Sequence, residues 1–319
     1  MIRADLHVHS CYSTQSGTLR FLRSRDCYSP PLAVYQVAKR RGMDVVTLTD
    51  HDTIDGCLAL LNAHPLDDVF ISEEVSCRWP DADIEVHLGV YGMTEALHRQ
   101  LQPLRGSVFA VIDALKASDV FFSLNHLFHF YRDQVPLETY LRLLALVPAV
   151  EARNGTMLRE HNELIARLAR GWPHKGAPGV QPPVALLGGS DAHTLRRVGQ
   201  TWTRSPGTTA TEFLRSLRQG LGEPGGNHGT AATVAGDTYG VVARFAASLL
   251  GYGPRDHHGW ARAARLGFVA VSAPAQFLPI LISLRSKRRE RLTIARAIDT
   301  MAGQTPVPAT VASPMTGAR

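Results

Sequence analysis

Residues 5–10 read Asp5-Leu-His-Val-His-Ser10 and end a short apolar run that begins at Met1. If a buried strand ends at this point, residues two apart in sequence point to the same side of the sheet. The rings of His7 and His9 could then hold one ion together. The stretch therefore predicts a metal-binding edge at the end of the first strand.

Further apolar runs lead into clusters of the same kind. They are Asp44–Thr49 before Asp50-His51-Asp52, Val69–Ile71 before Glu74, Ile84–Tyr91 around His87, Val120–Leu124 before Asn125-His126, and Val184–Ser190 before Asp191-Ala-His193. Such runs, separated by helical stretches, are typical of parallel strands covered on both faces. Because the carboxyl ends of parallel strands meet on one face, the sequence predicts an α/β fold with one multinuclear metal site.

The residue types indicate which metals this site would take. Asp191 and His193 repeat the spacing of His7 and His9 and add a charged oxygen ligand. Mixed nitrogen and oxygen donors suit zinc, manganese or iron better than calcium. Glu74 is the natural bridging carboxylate, because its two oxygens can span ions about 3.5–4 Å apart.

In their order and spacing these motifs resemble those of the PHP (polymerase and histidinol phosphatase) superfamily of metal-dependent phosphoesterases. The resemblance covers residues 5–194 and rests on Asp5–Ser10, Leu48–Gly56, Glu74–Ser76, His87, Asn125-His126 and Gly189–Thr194. It implies a distorted (β/α)7 TIM-like barrel with two to three divalent ions (Mn, Zn or Fe) at its C-terminal face. A C-terminal, mostly helical extension follows this barrel.

Position by position, the resemblance assigns ligands to three ions. The first takes His7, His9, Glu74 and Asp191, the second takes Glu74, His87 and His126, and the third takes His51 and His193. The family usually has a further Asp or His shortly after the His-x-His motif, where this chain has Thr14. Since a threonine hydroxyl is a poor ligand for these ions, the third site is weak, empty or completed from elsewhere, with Asp26 as one candidate.

Three aspartates beside the ligands are candidate outer partners. Asp5, Asp50 and Asp52 could each accept a ring N–H group and fix the tautomer of a ligand. For Asp50 and Asp52 a turn or helix cap is the alternative.

The predicted chemistry is hydrolysis of a phosphoester by a metal-activated water. Asp191 and His193 are expected at the reacting centre, and His193 or His129 would protonate the leaving oxygen. Four arginines follow the motifs or apolar runs, and their guanidinium groups could form bidentate hydrogen bonds with phosphate. They are Arg78, Arg153, Arg196 and Arg197. The alternative for each is an ordinary solvated surface side chain.

Three functions stay open at this point. A hydrolase acting on a small phosphorylated molecule, namely a phosphomonoesterase, is favoured because no long nucleic-acid-binding module is evident. A phosphodiesterase or nuclease acting on oligonucleotide ends is the first alternative. The second is a non-catalytic regulatory module that binds metal or ligand. Its basis is Thr14, which stands where the family usually has a metal ligand. The sequence makes no prediction of the substrate or of the oligomeric state.

Composition is compatible with this interpretation. The chain has 319 residues, 45% of them hydrophobic, and a formal net charge of +6, which suits anionic substrates. Its four cysteines include no Cys-x-x-Cys pair and indicate free thiols in a reducing compartment. A cytoplasmic location is therefore expected, since no signal peptide is evident.

Domain boundaries follow from glycine and proline content. Gly199–Thr203 is predicted as the last barrel strand, and Gly220–Gly229 as a loop, which places the end of the barrel near residue 230. Residues 231–302 are predicted to form a helical extension, and residues 303–319 a disordered tail.

Within the extension, Leu266–Leu284 carries no charge and precedes the basic run Arg285–Arg291. Packing on the barrel is favoured for this stretch. Peripheral membrane contact through residues 266–291 and a true membrane span are the alternatives.

Overall fold

The computed structural model describes residues 1–13, 24–80, 84–129, 137–171, 185–252, 258–272 and 277–303. Its strands are β1 (Ile2–Ala4), β2 (Ser72–Trp79), β3 (Ile84–Tyr91), β4 (Phe121–Leu124), β5 (Ala149–Asn154), β6 (Ala185–Gly189), β7 (Thr201–Ser205) and β8 (Glu223–Gly226). Thr14, and residues 304–319 of the predicted tail, lie outside the described residues. The fold is mixed α/β, as predicted.

Ten α-helices surround these strands in the described part of the chain. They are α1 (Pro31–Arg40), α2 (Asp55–Ala63), α3 (Glu95–Leu101), α4 (Val108–Ala117), α5 (Leu137–Leu144), α6 (Arg159–Ala169), α7 (Ala210–Arg218), α8 (Ala231–Leu249), α9 (Gly259–Val271) and α10 (Leu278–Gly303). The last three lie in the predicted C-terminal extension.

The strands form two sheets, with the orders β2-β3-β4-β5-β6 and β1-β7-β8. Only the pairs β4–β5 and β5–β6 are parallel, whereas β2–β3, β3–β4, β1–β7 and β7–β8 are antiparallel. The prediction of parallel strands throughout was therefore wrong. The reason at β2 and β3 is the short connection between Trp79 and Ile84, since parallel neighbours need a crossover of a dozen or more residues.

Isolated bridges, and not continuous ladders, connect the two sheets. The predicted strand at residues 44–49 forms no regular strand and makes single parallel bridges, Val46 with Val69 and, just beyond it, His51 with Glu74. Val8 bridges Ala192 in the same way. Among the described residues the strands thus do not form one closed barrel, although these bridges draw the motif segments to one region.

The predicted loop at Gly220–Gly229 contains β8, which pairs with β7. Gly225 lies opposite Trp202 in this pairing, and a Cβ atom on Gly225 would lie 2.3 Å from the Trp202 ring. Gly225, one of the glycines that suggested a loop, therefore allows β8 to pass close to the indole ring of Trp202.

One large apolar core lies against the five-stranded sheet. It contains Val75 of β2, Leu88 of β3, and Val111 and Leu115 of α4, all fully buried. Burial of a side chain of this size contributes about 1.5–3 kcal/mol. Since Glu74 is the neighbour of Val75 on the same strand, the core fixes the strand that carries the central carboxylate.

Helix α10 packs on the same core with its C-terminal half. Ile294, Ala297 and Met301 are buried in the core cluster. Among the described residues no helix is both long and apolar enough to cross a membrane. These three buried residues lie beyond Leu266–Leu284, the stretch for which packing on the body was expected.

A buried ion pair fastens α10 to the loop after β5. The Nζ of Lys287 lies 2.6 Å from Oε2 of Glu290 and donates to the carbonyl oxygen of Thr156 at 2.6 Å. Oε1 of Glu290 accepts the Leu158 N–H at 2.8 Å and lies 3.2 Å from Nδ1 of His161. Burial would raise the pKa of Glu290, but His161 and Lys287 outweigh it and lower that pKa to about 2.

We expect Glu290→Gln to lower the free energy of unfolding at pH 7 by about 3 kcal/mol, because removing one partner strands a buried charge. The measurement is urea denaturation. The control is Glu163→Gln, which removes an exposed pair with Arg159 on α6 and should cost less than about 1 kcal/mol. Equal losses in the two variants would contradict the importance of this pair.

The lowered pKa of Glu290 makes its contribution to the free energy of unfolding depend on pH. The contribution of Glu290 is present above the ordinary value of 4.5 and is lost as the pH falls towards about 2. The stability difference between the wild type and Glu290→Gln should therefore shrink over this range.

Candidate metal centre

The carboxylate of Glu74 lies at the centre of the site and is completely buried. The isolated bridge between His51 and Glu74 and the pairing of β2 with β3 bring the motif segments together around it. Five histidine rings surround its two oxygens. Oε2 lies 3.0 Å from Nε2 of His7, 3.5 Å from Nε2 of His9 and 3.3 Å from Nδ1 of His51, and Oε1 lies 3.2 Å from both Nδ1 of His87 and Nε2 of His126.

Asp191 is a second carboxylate of the same centre. Its Oδ1 lies 3.5 Å from Nε2 of His7, 3.4 Å from Nε2 of His9 and 3.7 Å from Nδ1 of His193. The backbone N–H of Asp191 donates to the carbonyl oxygen of His7 at 2.7 Å. The first and the late motif are therefore joined both through the backbone and through their ligand atoms.

Four overlapping groups have ligand atoms within 4.8 Å of one another, close enough to share a metal ion. They are His7-His9-Asp191, His7-Glu74-His126, His51-Glu74-His87 and His9-Asp26-His51-His193. All eight residues predicted as metal ligands belong to at least one group. Because the groups share His7, His9, His51 and Glu74, they form one continuous candidate metal centre.

Asp26 adds a carboxylate at the third predicted position. Its Oδ2 lies 2.6 Å from Nε2 of His193 and 3.7 Å from Nε2 of His51. Burial would raise the pKa of Asp26, but His193 outweighs it and lowers that pKa to about 2. The family resemblance led us to expect a further ligand where this chain has Thr14, and Asp26 offers a carboxylate twelve positions later in the chain.

The donor set fits divalent ions. The buried Nε2 of His9 and Nδ1 of His51 have no hydrogen-bond partner among the described residues. An unsatisfied buried polar atom costs about 1–3 kcal/mol, so these two nitrogens are suited to accept a ligand bond. Nitrogen and carboxylate donors together suit zinc, manganese or iron.

Charge in the centre is balanced between carboxylates and rings. Burial would raise the pKa of Glu74, but His7 and His51 outweigh it and hold that pKa well below its usual range. The pKa of Asp191 is lowered in the same way, chiefly by His7 and His9. Burial lowers the pKa of His51 to about 3, so this ring is neutral at pH 7. Ionised carboxylates and a neutral imidazole are the protonation states that metal binding requires.

A second layer of side chains holds the ligands in position. Oε1 of Glu151 lies 2.9 Å from Nδ1 of His7, which turns Nε2 of that ring towards Glu74. Asn154 and Thr156 donate to Oδ2 of Asp191 at 3.2 and 3.0 Å. None of these three residues belongs to the motifs identified in the sequence. The position of all three at or after the end of β5 was the available signal.

The three predicted outer aspartates bind other groups. Asp5 accepts the backbone N–H groups of Ser190 and Gly199 at 2.8 and 2.7 Å. Asp50 accepts the hydroxyl of Ser10 at 2.7 Å, and Asp52 accepts the Ser76 N–H at 2.8 Å and the guanidinium of Arg105. These carboxylates brace the segments that carry the ligands, because backbone N–H groups and not ring nitrogens face them.

The predicted substrate arginines divide into two pairs. Arg78 and Arg196 are exposed. Arg153 donates to the carbonyl oxygen of Gly226 at 2.8 Å, and Arg197 is buried, donates to the carbonyl of Gly155 and lies 3.7 Å from Asp237. Arg153 and Arg197 thus donate to backbone carbonyls, and binding of phosphate by any of the four arginines stays a prediction.

His129 lies beside the centre without joining any of the four ligand groups. It is exposed, and the centroid of its ring lies 5.4 Å from that of His126. This position suits a side chain that faces a substrate better than one that holds an ion.

Two ligands adopt a left-handed backbone conformation, His126 with φ 25° and Asp191 with φ 51°. Such a conformation costs a non-glycine residue roughly 1–2 kcal/mol. The Asp191 N–H bond to His7 and the His126 N–H bond to Glu151 at 3.2 Å hold these conformations in place. The strain thus lies at the residues that direct ligand atoms into the centre.

We expect metal-free Asp191→Gly to be more stable than metal-free Asp191→Ala by about 1 kcal/mol, because only glycine adopts positive φ without strain. Both variants should lose bound metal. Urea denaturation with a chelator gives the stability, and metal analysis gives the loss of ions.

The matched control uses Asp113, an exposed residue in the middle of helix α4. There glycine should be less stable than alanine by about 1 kcal/mol. The same order of stability at both positions would show that Asp191 carries no strain.

Sequence comparison finds two matches. A family model described as PHP-associated matches residues 183–221, which include β6, Asp191, His193 and β7. The uncharacterised protein MJ1587 of Methanocaldococcus jannaschii is 42% identical over 55 residues, which are 17% of this chain and 32% of that protein. The match thus spans about a third of the length of this curated relative.

Structure comparison finds the same fold in distant proteins. PsfC of Pseudomonas syringae is 19% identical, with 76% of this chain and all of that chain covered and a TM-score of 0.51. A two-domain protein of Bacteroides vulgatus that contains a predicted PHP-like metal-dependent phosphoesterase is 15% identical, with 71% of this chain and 65% of that chain covered and a TM-score of 0.48. The ordered motifs, the centre they form and the family model that matches residues 183–221 together support membership of the PHP superfamily of metal-dependent phosphoesterases.

Proposed function

We propose that the chain hydrolyses a phosphomonoester of a small molecule at this centre. The observation that supports the proposal is the sharing of Glu74 and His7 between overlapping ligand groups. Glu74 has one oxygen towards His7 and the other towards His87 and His126, so these residues together would hold the ions. Divalent ions in these positions lower the pKa of a water molecule and neutralise phosphoryl oxygens.

The protein's own residues supply orientation. Glu151 holds the ring of His7 so that Nε2 faces the centre. Asn154 and Thr156 hold one oxygen of Asp191 and leave Oδ1 directed to His7 and His9. Preorganisation of this kind keeps the ligand atoms in place before any substrate arrives.

His193 is the residue we assign to protonate the leaving oxygen. It is half-buried, and its Nε2 lies 2.6 Å from Asp26. Burial would lower the pKa of His193, but Asp26 and Asp191 outweigh it and raise that pKa to about 10. The ring therefore carries a proton at neutral pH. Asp26 then has the role of orienting the acid.

His193 could either protonate the leaving oxygen or bind a metal ion together with Asp26 and His51. It cannot do both, because a ring nitrogen that binds an ion carries no proton. The number of ions bound per chain therefore distinguishes the two roles. Two ions per chain support the acid and three support the ligand. A carboxylate beside His51 and His193 also weakens the case for a non-catalytic module, since the absence of a ligand at Thr14 was its basis.

We expect the manganese- or zinc-reconstituted protein to hydrolyse phosphomonoesters faster than phosphodiesters or short oligonucleotides. Glu74→Gln should lower kcat by more than about 100-fold, because even outer partners of a metal ligand are worth 10–100-fold. The matched control is Glu163→Gln at an exposed position of α6, and its kcat should equal that of the wild type. No hydrolysis of any compound by metal-loaded wild type would contradict the proposal, and faster cleavage of oligonucleotides would select the nuclease.

Asp26→Asn should lower kcat and shift the alkaline limb of the kcat profile to lower pH if His193 is the acid, because loss of the carboxylate lowers the pKa of His193. It should instead remove about one bound ion per chain if the pair binds metal. Asp113→Asn is the matched control. A variant with unchanged metal content, kcat and pH profile would exclude both roles for Asp26.

A further inference from the structure

The described residues between 260 and 284 expose an unusual amount of apolar side chain. They hold nine of the fifteen exposed large apolar side chains, with Trp260 84% exposed, Val271 82%, Phe277 57% and Leu281 52%. Helix α9 has no buried residue at all. We call the exposed apolar side chains of residues 260–271 and 277–284 the apolar surface. Concentration on two successive elements distinguishes it from the single exposed side chains that proteins ordinarily carry.

Packing within this chain does not account for the apolar surface. Helix α10 turns a buried stripe of Ser283, Lys287, Ile294 and Ala297 towards the body. Leu266 and Val269 of α9 are only partly buried, against the small cluster of Tyr28, Phe245 and Leu249. Both helices thus have a side that contacts the body and still present large apolar side chains to solvent. This pattern is the reverse of the usual amphipathic helix, in which the solvent face is polar.

The charges that accompany the apolar surface are all positive. Residues 259–289 include no Asp or Glu. Arg262 lies on α9, and Arg285, Arg288 and Arg289 follow the apolar surface on α10, all four of them exposed. A face that combines exposed apolar and basic side chains, with no acidic ones, is complementary to a lipid surface that is apolar below and anionic above.

A second copy of the chain is a poorer occupant. Symmetric pairing would place the same patch on both sides of the interface, so arginines would face arginines. Like charges brought together in an interface oppose association. An anionic bilayer offers the opposite charge to every one of these arginines.

We propose that the apolar surface inserts into the interfacial region of a membrane rich in anionic phospholipid, with the arginines of α9 and α10 on the headgroups. Side chains such as Phe277, Leu281 and Trp260 then leave water for the acyl-chain boundary. This inference stands apart from the proposed hydrolysis, because it uses none of the residues of the metal centre.

The test is co-sedimentation of the full-length chain with vesicles. One set contains phosphatidylcholine alone, and the other contains equal parts of phosphatidylcholine and phosphatidylglycerol. We expect binding to the anionic vesicles only, weakened by salt. Fluorescence of Trp260, obtained as the difference between the wild type and Trp260→Phe, should shift to shorter wavelength on binding.

Two variants locate the surface. Phe277→Ser with Leu281→Ser should lower the partition coefficient at least about tenfold, because two exposed apolar side chains are lost. The matched control is Leu221→Ser with Leu292→Ser, which are 47% and 50% exposed outside the apolar surface, and it should bind as the wild type does. Arg288→Ser with Arg289→Ser should lower partition about fivefold for each arginine removed.

Three results would overturn the proposal. The first is absence of wild-type binding to either vesicle, and the second is equal binding by the Phe277/Leu281 variant. The third is concentration-dependent dimerisation of the wild type, without lipid binding, that the Phe277/Leu281 variant loses, since the occupant would then be a second copy. Circular dichroism and urea denaturation show whether each variant is folded, and these exposed substitutions should leave both unchanged.

Discussion

The burial of the Glu74 carboxylate among five histidine rings is the constraint on which the site depends. A carboxylate without solvent is tolerated only with compensating positive charge, because desolvation alone costs several kcal/mol. The rings of His7 and His87, whose own pKa values are raised by nearby carboxylates, supply part of that charge and lower the pKa of Glu74. The segments that carry the rings therefore have to converge on β2. Isolated bridges are sufficient for this, and a regular ladder at residues 44–52 is not needed.

Buried carboxylates in this protein divide into two kinds. Glu74, Asp191 and Asp26 face histidine nitrogens and offer oxygens to a metal. Asp5 faces backbone N–H groups and ties the first strand to the late motif through Ser190 and Gly199. Burial raises the pKa of Asp5 to about 6. Asp191 and Asp5 are the same residue type and are both buried, so their partners distinguish the two kinds.

The sequence predicted ligands better than it predicted strands. His7, His9, Glu74 and Asp191 could be named because each belongs to a short motif in a recognisable order. The antiparallel pairing of β2 with β3 could not be read from apolar runs, since burial on both faces gives the same pattern in either direction. β8 was missed because glycine packed against Trp202 has the composition of a loop.

Long-range partners were the least predictable part of the site. Asp26 reaches His193 across more than 160 positions of sequence, and no local pattern relates the two. Glu151 reaches His7 in the same way from the end of β5. Such contacts depend on the order in which strands lie beside one another, which spacing within a motif does not contain.

The Lys287–Glu290 pair also connects the C-terminal extension to the part of the chain that forms the candidate metal centre. Lys287 contacts the carbonyl of Thr156, and the hydroxyl of Thr156 contacts Asp191. Ile294 and Met301 complete the core behind that loop. A fragment ended near residue 230 would keep every metal ligand and still leave this core open to water. The autonomous folding unit is therefore larger than the stretch that carries the family motifs, and a shortened chain would be a poor substitute for the whole.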